Sequence, residues 1–380
     1  MLAVQKYLKT KTLDDLTNEL GIVVKKHDSW PLVILNYDQI ESPKTNEIVR
    51  ECRGLVLNSY NFELVARSFP RFFNWGEVAD EMKLFDFSNF IVDSKEDGSL
   101  VVIYWSEDCR TWMANTRGSF ADDNMQSQSF TWKEGFLRAL GLKSFAECED
   151  WLDRSYTYVG EFCSPWNKIV RRYDSPRIYL LTMFRGMDEL TWEETKAQSV
   201  RLIRNLDTGK PGFVLPTRYE FKSIEEVQDF LKKQAADDAT FEGVVIRDCN
   251  NRRYKIKSPT YLGLHKLRGE GDNLFNPKHL LPFVMAGEDD ELLTYFSEVK
   301  EQYYKLKSQV QKDYIDMIEL WADNKHIENQ KDFALAISNK TPYTSVLFNV
   351  KKKHGLGQKS SHVKEEWRNS EAQIFKRIKL

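Results

Sequence analysis

The chain has 380 residues, with 55 Lys and Arg against 57 Asp and Glu and a formal net charge of -2, so it is not a polycation that grips nucleic acid by bulk charge. Hydrophobic residues at 41% and aromatics at 13% exclude a disordered chain, and the length suggests two or three domains. No run approaches the roughly 18 apolar residues of a membrane helix, and the first twenty residues lack a signal-like apolar stretch, so a cytoplasmic protein with no membrane partner is expected.

Residues 1–25 read as a helix ending at a turn at Gly21. Short apolar runs rich in Val, Ile, Tyr and Phe then recur between turn residues at 32–35, 55–57, 90–92, 100–105, 178–183 and 244–246, as strands do. Helical spacing interrupts them at 132–140 and 224–234, so the first part of the chain is expected to be α+β. From Leu293 to Trp321 apolar residues step by three or four without Gly or Pro, which predicts a long amphipathic helix. Shorter helices are expected at 332–338 and 363–378, separated by a basic stretch of Lys351, Lys352, Lys353, His354 and Lys359. A weak boundary signal at 282–287 divides the chain into 1–285 and an all-α part at 286–380.

The five cysteines form no CxxC pair and the six histidines no HExxH, which speaks against a zinc enzyme and leaves carboxylates as candidate metal ligands. The nearest approach to a Walker A loop, Gly209-Lys210-Pro211, has Pro where a hydroxyl is needed, and no GxGxxG follows a strand. Any bound nucleotide must therefore be held by side-chain cations. Between two strand-like runs lies Lys95-Glu96-Asp97-Gly98, which by itself is equally a hairpin turn. Tyr254-Lys255-Ile256-Lys257 puts two lysines on one strand face, where they either share an anion or protect a solvated edge. Glu161 and Glu242 sit in apolar strand contexts and require a partner: a metal, a ribose hydroxyl or a structural cation.

In order, Lys95-Glu96-Asp97-Gly98, Thr116-Arg117-Gly118-Ser119, Gly160-Glu161-Phe162, Glu242-Gly243-Val244-Val245 and Tyr254-Lys255-Ile256-Lys257 resemble the successive motifs of the covalent nucleotidyltransferases, the superfamily of polynucleotide ligases and mRNA capping enzymes. Glu51-Cys52-Arg53-Gly54, Arg71-Phe72-Phe73-Asn74 and the segment 258–265 narrow the resemblance to the phage-type RNA ligase 1 family, over about residues 35–290. The resemblance implies an ATP-grasp-like nucleotidyltransferase domain of antiparallel sheets with flanking helices. The all-α C-terminal domain that follows would supply RNA or tRNA specificity.

The implied activity is that of an ATP-dependent RNA ligase. The amine of Lys95 attacks the α-phosphate of ATP, giving lysyl-AMP and releasing pyrophosphate, AMP passes from lysyl-AMP to an RNA 5′-phosphate, and a 3′-hydroxyl displaces AMP. Lys95 must be neutral to attack, although its reference pKa is about 10.4. A cation about 4 Å away contributes on the order of 4 kcal/mol at an effective dielectric of 20, and Lys255, Lys257 or a metal ion is expected to supply that downward pull. By the same resemblance Lys257 contacts the α-phosphate with Lys255 beside it, Arg53 the nucleotide or the RNA 5′-phosphate, and Glu161 the ribose. Glu242 positions metal-bound water or the lysine. Tyr37 lies near the nucleotide or is an ordinary strand-end tyrosine, and Tyr261 engages RNA.

Arg71 and Arg117 stand where the family usually carries Lys, keeping the charge but changing the phosphate contacts. Asp289 and Asp290, within the acidic run 288–291, match an aspartate pair associated with a divalent ion in the family, but equally suit a helix N-terminus. Mg2+, or Mn2+, is the expected metal, and cleaved tRNA the expected partner in the host cytoplasm of a phage, with no obligate protein partner. The basic stretch at 351–359 is either a grip on RNA phosphates or a surface loop. The competing functions are a capping-type guanylyltransferase or DNA ligase, and a noncatalytic RNA-binding protein.

Overall fold

The structure, a computed structural model, describes residues 1–39, 41–125, 128–166, 171, 173–203, 212–238, 240–258, 277–287, 293, 299–338, 340–354, 360–370 and 374. It falls into two compact units, Met1–Arg268 and Gly269–Leu380.

The described strands of the first unit are β1 (Ile22–Lys26), β2 (Leu32–Tyr37), β3 (Arg53–Asn58), β4 (Leu64–Ala66), β5 (Phe73–Asn74), β6 (Phe90–Ser94), β7 (Ser99–Ser106), β8 (Thr111–Asn115), β9 (Thr157–Cys163), β10 (Arg177–Arg185), β11 (Asp188–Glu189), β12 (Arg218–Tyr219), β13 (Gly243–Asp248) and β14 (Arg253–Lys257). They form three sheets, in the orders β1-β2-β3-β4, β11-β10-β9-β7-β8 and β12-β6-β13-β14-β5. All pairings are antiparallel except the short β5–β14 pair. This is the α+β class expected from the sequence, with antiparallel sheets, flanking helices and a helical C-terminal region.

Alternation along the strands explains the layering. Leu32 and Ile34 of β2 enter a core shared with Leu100, Val102 and Tyr104 of β7, while Val33, Leu35 and Tyr37 face Leu2, Val4 and Leu16 of the N-terminal helices. β7 is likewise covered on its second face, where Val101 and Ile103 meet Phe136 and Leu140 of the helix Trp132–Leu140. Strands buried on both faces read as unbroken apolar runs, which is why these two stood out in the sequence. That helix begins at a Thr131–Glu134 capping box and ends at Gly141 in the left-handed conformation. The third sheet packs Val92, Val244 and Ile246 against Val227 and Leu231 of the helix Ile224–Asp237.

At the N-terminus the single expected helix is two, Ala3–Tyr7 and Leu13–Leu20, because Thr12 caps the second through Asp15. In the second unit the helix Lys300–Asn324 buries Tyr303, Leu306, Val310, Met317 and Trp321, the spacing that predicted it. Pro282 lies inside the helix Pro277–Ala286, whose Leu280, Leu281, Val284 and Met285 belong to the same core. The division therefore falls before this helix and not at 285/286.

The basic stretch is helical through His354, in the helix Thr344–His354. Lys351 donates to the carbonyl of Ile327 and lies 4.2 Å from the centroid of Phe333. Lys353 reaches the buried carboxylate of Glu366 at 2.5 Å. Two of its lysines thus hold the unit together. Residues 355–359 lie outside the described residues.

Candidate active site

Lys95–Gly98 is the short link between β6 and β7, which belong to different sheets. Lys95 accordingly stands between Glu161 on β9 and the pair Glu242 and Lys257, the latter on β14. Gly98 is required here because a Cβ would lie 2.4 Å from the carbonyl oxygen of Phe162 and 2.8 Å from Cys163 Sγ. Gly243 has φ +144°, and a Cβ there would lie 2.2 Å from the Ile256 carbonyl oxygen. These approaches hold the two sheets' ends close to the turn that carries Lys95.

The centre of the site is a contact among the three residues singled out as catalytic. Lys95 Nζ lies 2.7 Å and Lys257 Nζ 3.1 Å from the same Oε1 of Glu242, whose side chain is 4% exposed. Glu161, opposite Leu100 in the sheet, completes the group. Burial raises its pKa to about 7; Lys95 and Arg53 pull it down, and Glu242 and Asp97 push it up.

The electrostatics of Lys95 differ from the sequence expectation. Burial is the largest influence and lowers its pKa, and Lys257 acts in the same direction. Glu242, by charge and hydrogen bond, together with Glu161, outweighs both and leaves the pKa above its ordinary value. The cations expected to depress Lys95 are present, but the carboxylate between them keeps its ammonium charged.

A second cluster surrounds Tyr37 at the end of β2. Burial raises its phenol pKa, but Arg117, Arg53, Lys255 and Arg71 together turn the net shift downward. Arg117 lies 5.4 Å from the Tyr37 ring centroid, and Gln39, with its amide oxygen turned toward the guanidinium, accepts from Nη1 at 2.7 Å and Nη2 at 3.2 Å. Arg53 lies over Phe69 at 4.6 Å and has a buried Nη1 with no hydrogen-bond partner among the described residues. It connects the clusters, since it acts on both Tyr37 and Glu161. Arg71 is buried, paired with Glu77 at 2.9 Å and stacked over Phe73 at 4.8 Å. Such a concentration of cations around a phenol and a lysine suits a polyanion such as a triphosphate.

The structure thus brings together Tyr37, Arg53, Arg71, Lys95, Arg117, Glu161, Glu242, Lys255 and Lys257, drawn from all three sheets. Tyr261, Asp289 and Asp290 lie outside the described residues. Sequence reasoning missed Gln39, which only its closeness to Tyr37 could have suggested.

The family described as RNA ligase matches residues 51–261 of the chain. The chain belongs to this family. A putative bifunctional polynucleotide kinase/RNA ligase of Autographa californica nuclear polyhedrosis virus is 32% identical over 322 residues, covering 79% of this chain and 42% of the relative. The chain therefore spans less than half of that protein. An RNA ligase of Rhodothermus phage RM378 is 23% identical over 318 residues, 69% of this chain and 71% of the phage protein. Among solved structures, an archaeal ATP-dependent RNA ligase is similar at a TM-score of 0.45 and 15% identity, covering 81% of this chain and 78% of that one. Family membership rests on the matched residues 51–261, which contain the Lys95–Glu242–Lys257 contact.

Proposed function

We propose that the chain is an ATP-dependent RNA ligase that joins 3′-hydroxyl and 5′-phosphate RNA ends through lysyl-AMP on Lys95, in the repair of cleaved tRNA. The observation that carries this reading is the shared Glu242 contact of Lys95 and Lys257. It sets a half-buried nucleophilic amine beside a second cation fit to hold the phosphate under attack. Arg53, Arg117 and Lys255 receive the remaining phosphate charge, and Glu161 accepts or donates at a ribose hydroxyl.

Among the described residues no group of three or more His, Cys, Asp or Glu forms a metal cage. Glu242 and Glu161 would hold a Mg2+ or Mn2+ ion of the kind that takes only one or two protein carboxylates. Burial raises the Glu161 pKa despite Lys95 and Arg53, and a nearby metal cation would oppose that rise. When bound, such an ion would supply neutralisation of the triphosphate charge. Glu242 governs the proton on Lys95. When its charge is engaged elsewhere, burial and Lys257 prevail and the amine is released for in-line attack.

Incubation with labelled ATP, and separately with GTP, followed by denaturation tests the reading. Label from ATP stays on the wild-type chain and is absent from Lys95→Ala, which still seals pre-adenylated RNA. Label from GTP alone would indicate a guanylyltransferase, and no label from either a noncatalytic RNA-binding protein.

A further inference from the structure

The turn that carries Lys95 is gripped by Gly243 and, from outside the family motifs quoted above, by Thr217, Arg171 and Tyr173. Before the nucleophile, Ser94 donates its N–H to the Thr217 carbonyl at 2.8 Å, and Lys95 its N–H to the Gly243 carbonyl at 2.9 Å. After it, the Tyr173 hydroxyl donates to Glu96 Oε2 at 3.0 Å and accepts the N–H of Asp97 at 3.1 Å. The other Glu96 oxygen accepts from Ser94 Oγ at 2.7 Å, and the Arg171 N–H donates to Asp97 Oδ2 at 2.8 Å. Ser94, Glu96, Asp97 and Tyr173 are all buried. One phenol therefore fixes both the side chain of residue 96 and the peptide joining it to residue 97, immediately after the nucleophile.

We infer that Tyr173 is a positioning residue for Lys95, its hydroxyl holding the Glu96–Asp97 peptide so that the amine enters the line of attack. The inference rests on the ligase reading of this site. Two observations separate the role from core packing. The Tyr173 ring already packs against Cys163 and Tyr179, so a phenylalanine would fill the same space and remove only the hydroxyl's hydrogen bonds, those with Glu96 and Asp97 and a further one with Cys163. The phenol also stays neutral, and so remains a donor, because burial and then Cys163 and Glu96 raise its pKa. Loss of the hydroxyl strands a carboxylate oxygen and an amide N–H in a dry site, and the turn relieves both by moving.

The test is Tyr173→Phe in the full chain, with the rate of lysyl-AMP formation measured across ATP concentrations and the sealing of pre-adenylated RNA measured in parallel. A displacement of about 1 Å at the nucleophile predicts roughly 100-fold slower adenylylation at saturating ATP. The half-saturating ATP concentration and the sealing of pre-adenylated RNA should change little. Equal loss in both steps would assign Tyr173 a structural role and overturn the inference. A rise confined to the half-saturating concentration would make it an ATP contact and overturn it too, as would a wild-type rate. Should Tyr173→Phe fail to fold, Ser94→Ala removes the other hold on Glu96 and must show the same split between steps, or the inference falls. A wild-type chain that forms no adduct from ATP overturns the ligase reading and this inference together. An adduct in the wild type with an unchanged Tyr173→Phe rate overturns this inference alone.

Discussion

Gly243→Ala tests how closely the phosphate-handling lysine must be placed. The new Cβ would lie 2.2 Å from the Ile256 carbonyl oxygen and 2.7 Å from Lys257 Cα, both backbone atoms that no side-chain rotation can remove. Clearance to the 3.0 Å that real Cβ atoms respect needs the β13–β14 edge to open by ~0.8 Å, and Gly243 pairs directly with Lys257 in that register. A shift of this size at a reacting centre costs about 100-fold in rate. An alanine at φ +144° adds about 2 kcal/mol of backbone strain. That corresponds to roughly 4–8 °C in Tm for a domain of this size. The matched control is Gly186→Ala at the β10–β11 turn, where φ is +58° but nothing lies within 4 Å of the added methyl. It should lose about 1 kcal/mol of stability to strain and no adenylylation rate. Both variants are assayed by labelled-ATP adduct formation and by thermal unfolding. If Gly243→Ala lowers Tm as expected but forms adduct at the wild-type rate, the placement of Lys257 does not limit the chemistry and the reasoning fails.

Glu161, with a pKa raised to about 7, holds a proton in the folded chain that the unfolded chain releases near 4.5. Each rise in pH between these values therefore favours unfolding, and the wild type should lose about 3 kcal/mol relative to Glu161→Gln across that window. Urea unfolding of both in metal-free buffer reads the difference, and parallel pH profiles would refute it. Lys257→Ala should lose most adenylylation and Lys257→Arg recover little of it, since this 11%-exposed side chain 3.1 Å from Glu242 leaves little room for a guanidinium; near-normal adduct in the alanine variant returns the lysine pair to a solvated edge. Lys351→Ala should destabilise the C-terminal unit by about 1–2 kcal/mol through its Ile327 and Phe333 contacts, as chemical denaturation would register. Unchanged stability with a weaker salt dependence of RNA binding would instead favour the phosphate grip.

What the sequence made legible has a physical pattern. Glu242 stood out because a carboxylate in an apolar strand context must have a partner, whereas Lys95 and Lys257 could be found only because their motifs follow one another in order along the chain. β2 and β7 were visible because both faces are buried. The strand order was hidden, since β6 pairs with β12 and β13 across long stretches of chain and no local signal marks such a pairing. The sign of the Lys95 shift was hidden for the same reason: it depends on which oxygen of Glu242 lies between two ammonium groups. Lys351 and Lys353 read as solvated charge because nothing in their own neighbourhood announces Ile327 or Glu366. Tyr173 reads as one more aromatic residue before a strand, and only the fold brings its hydroxyl to the nucleophile turn.

The division of the site among three sheets also bears on how the protein is made. Lys95 leaves the ribosome early, but the strand that supplies Lys257 follows 160 residues later, and β6 cannot pair with β13 until then. Closing so long a loop is slow, because chain entropy is lost before any contact repays it. A nascent or truncated chain that stops before β14 therefore displays Lys95 without the Lys257 proposed to hold the phosphate it attacks. Such fragments should bind neither nucleotide nor RNA ends productively. On the proposed ligase reading, lysyl-AMP formation would therefore begin only once β14 has been made.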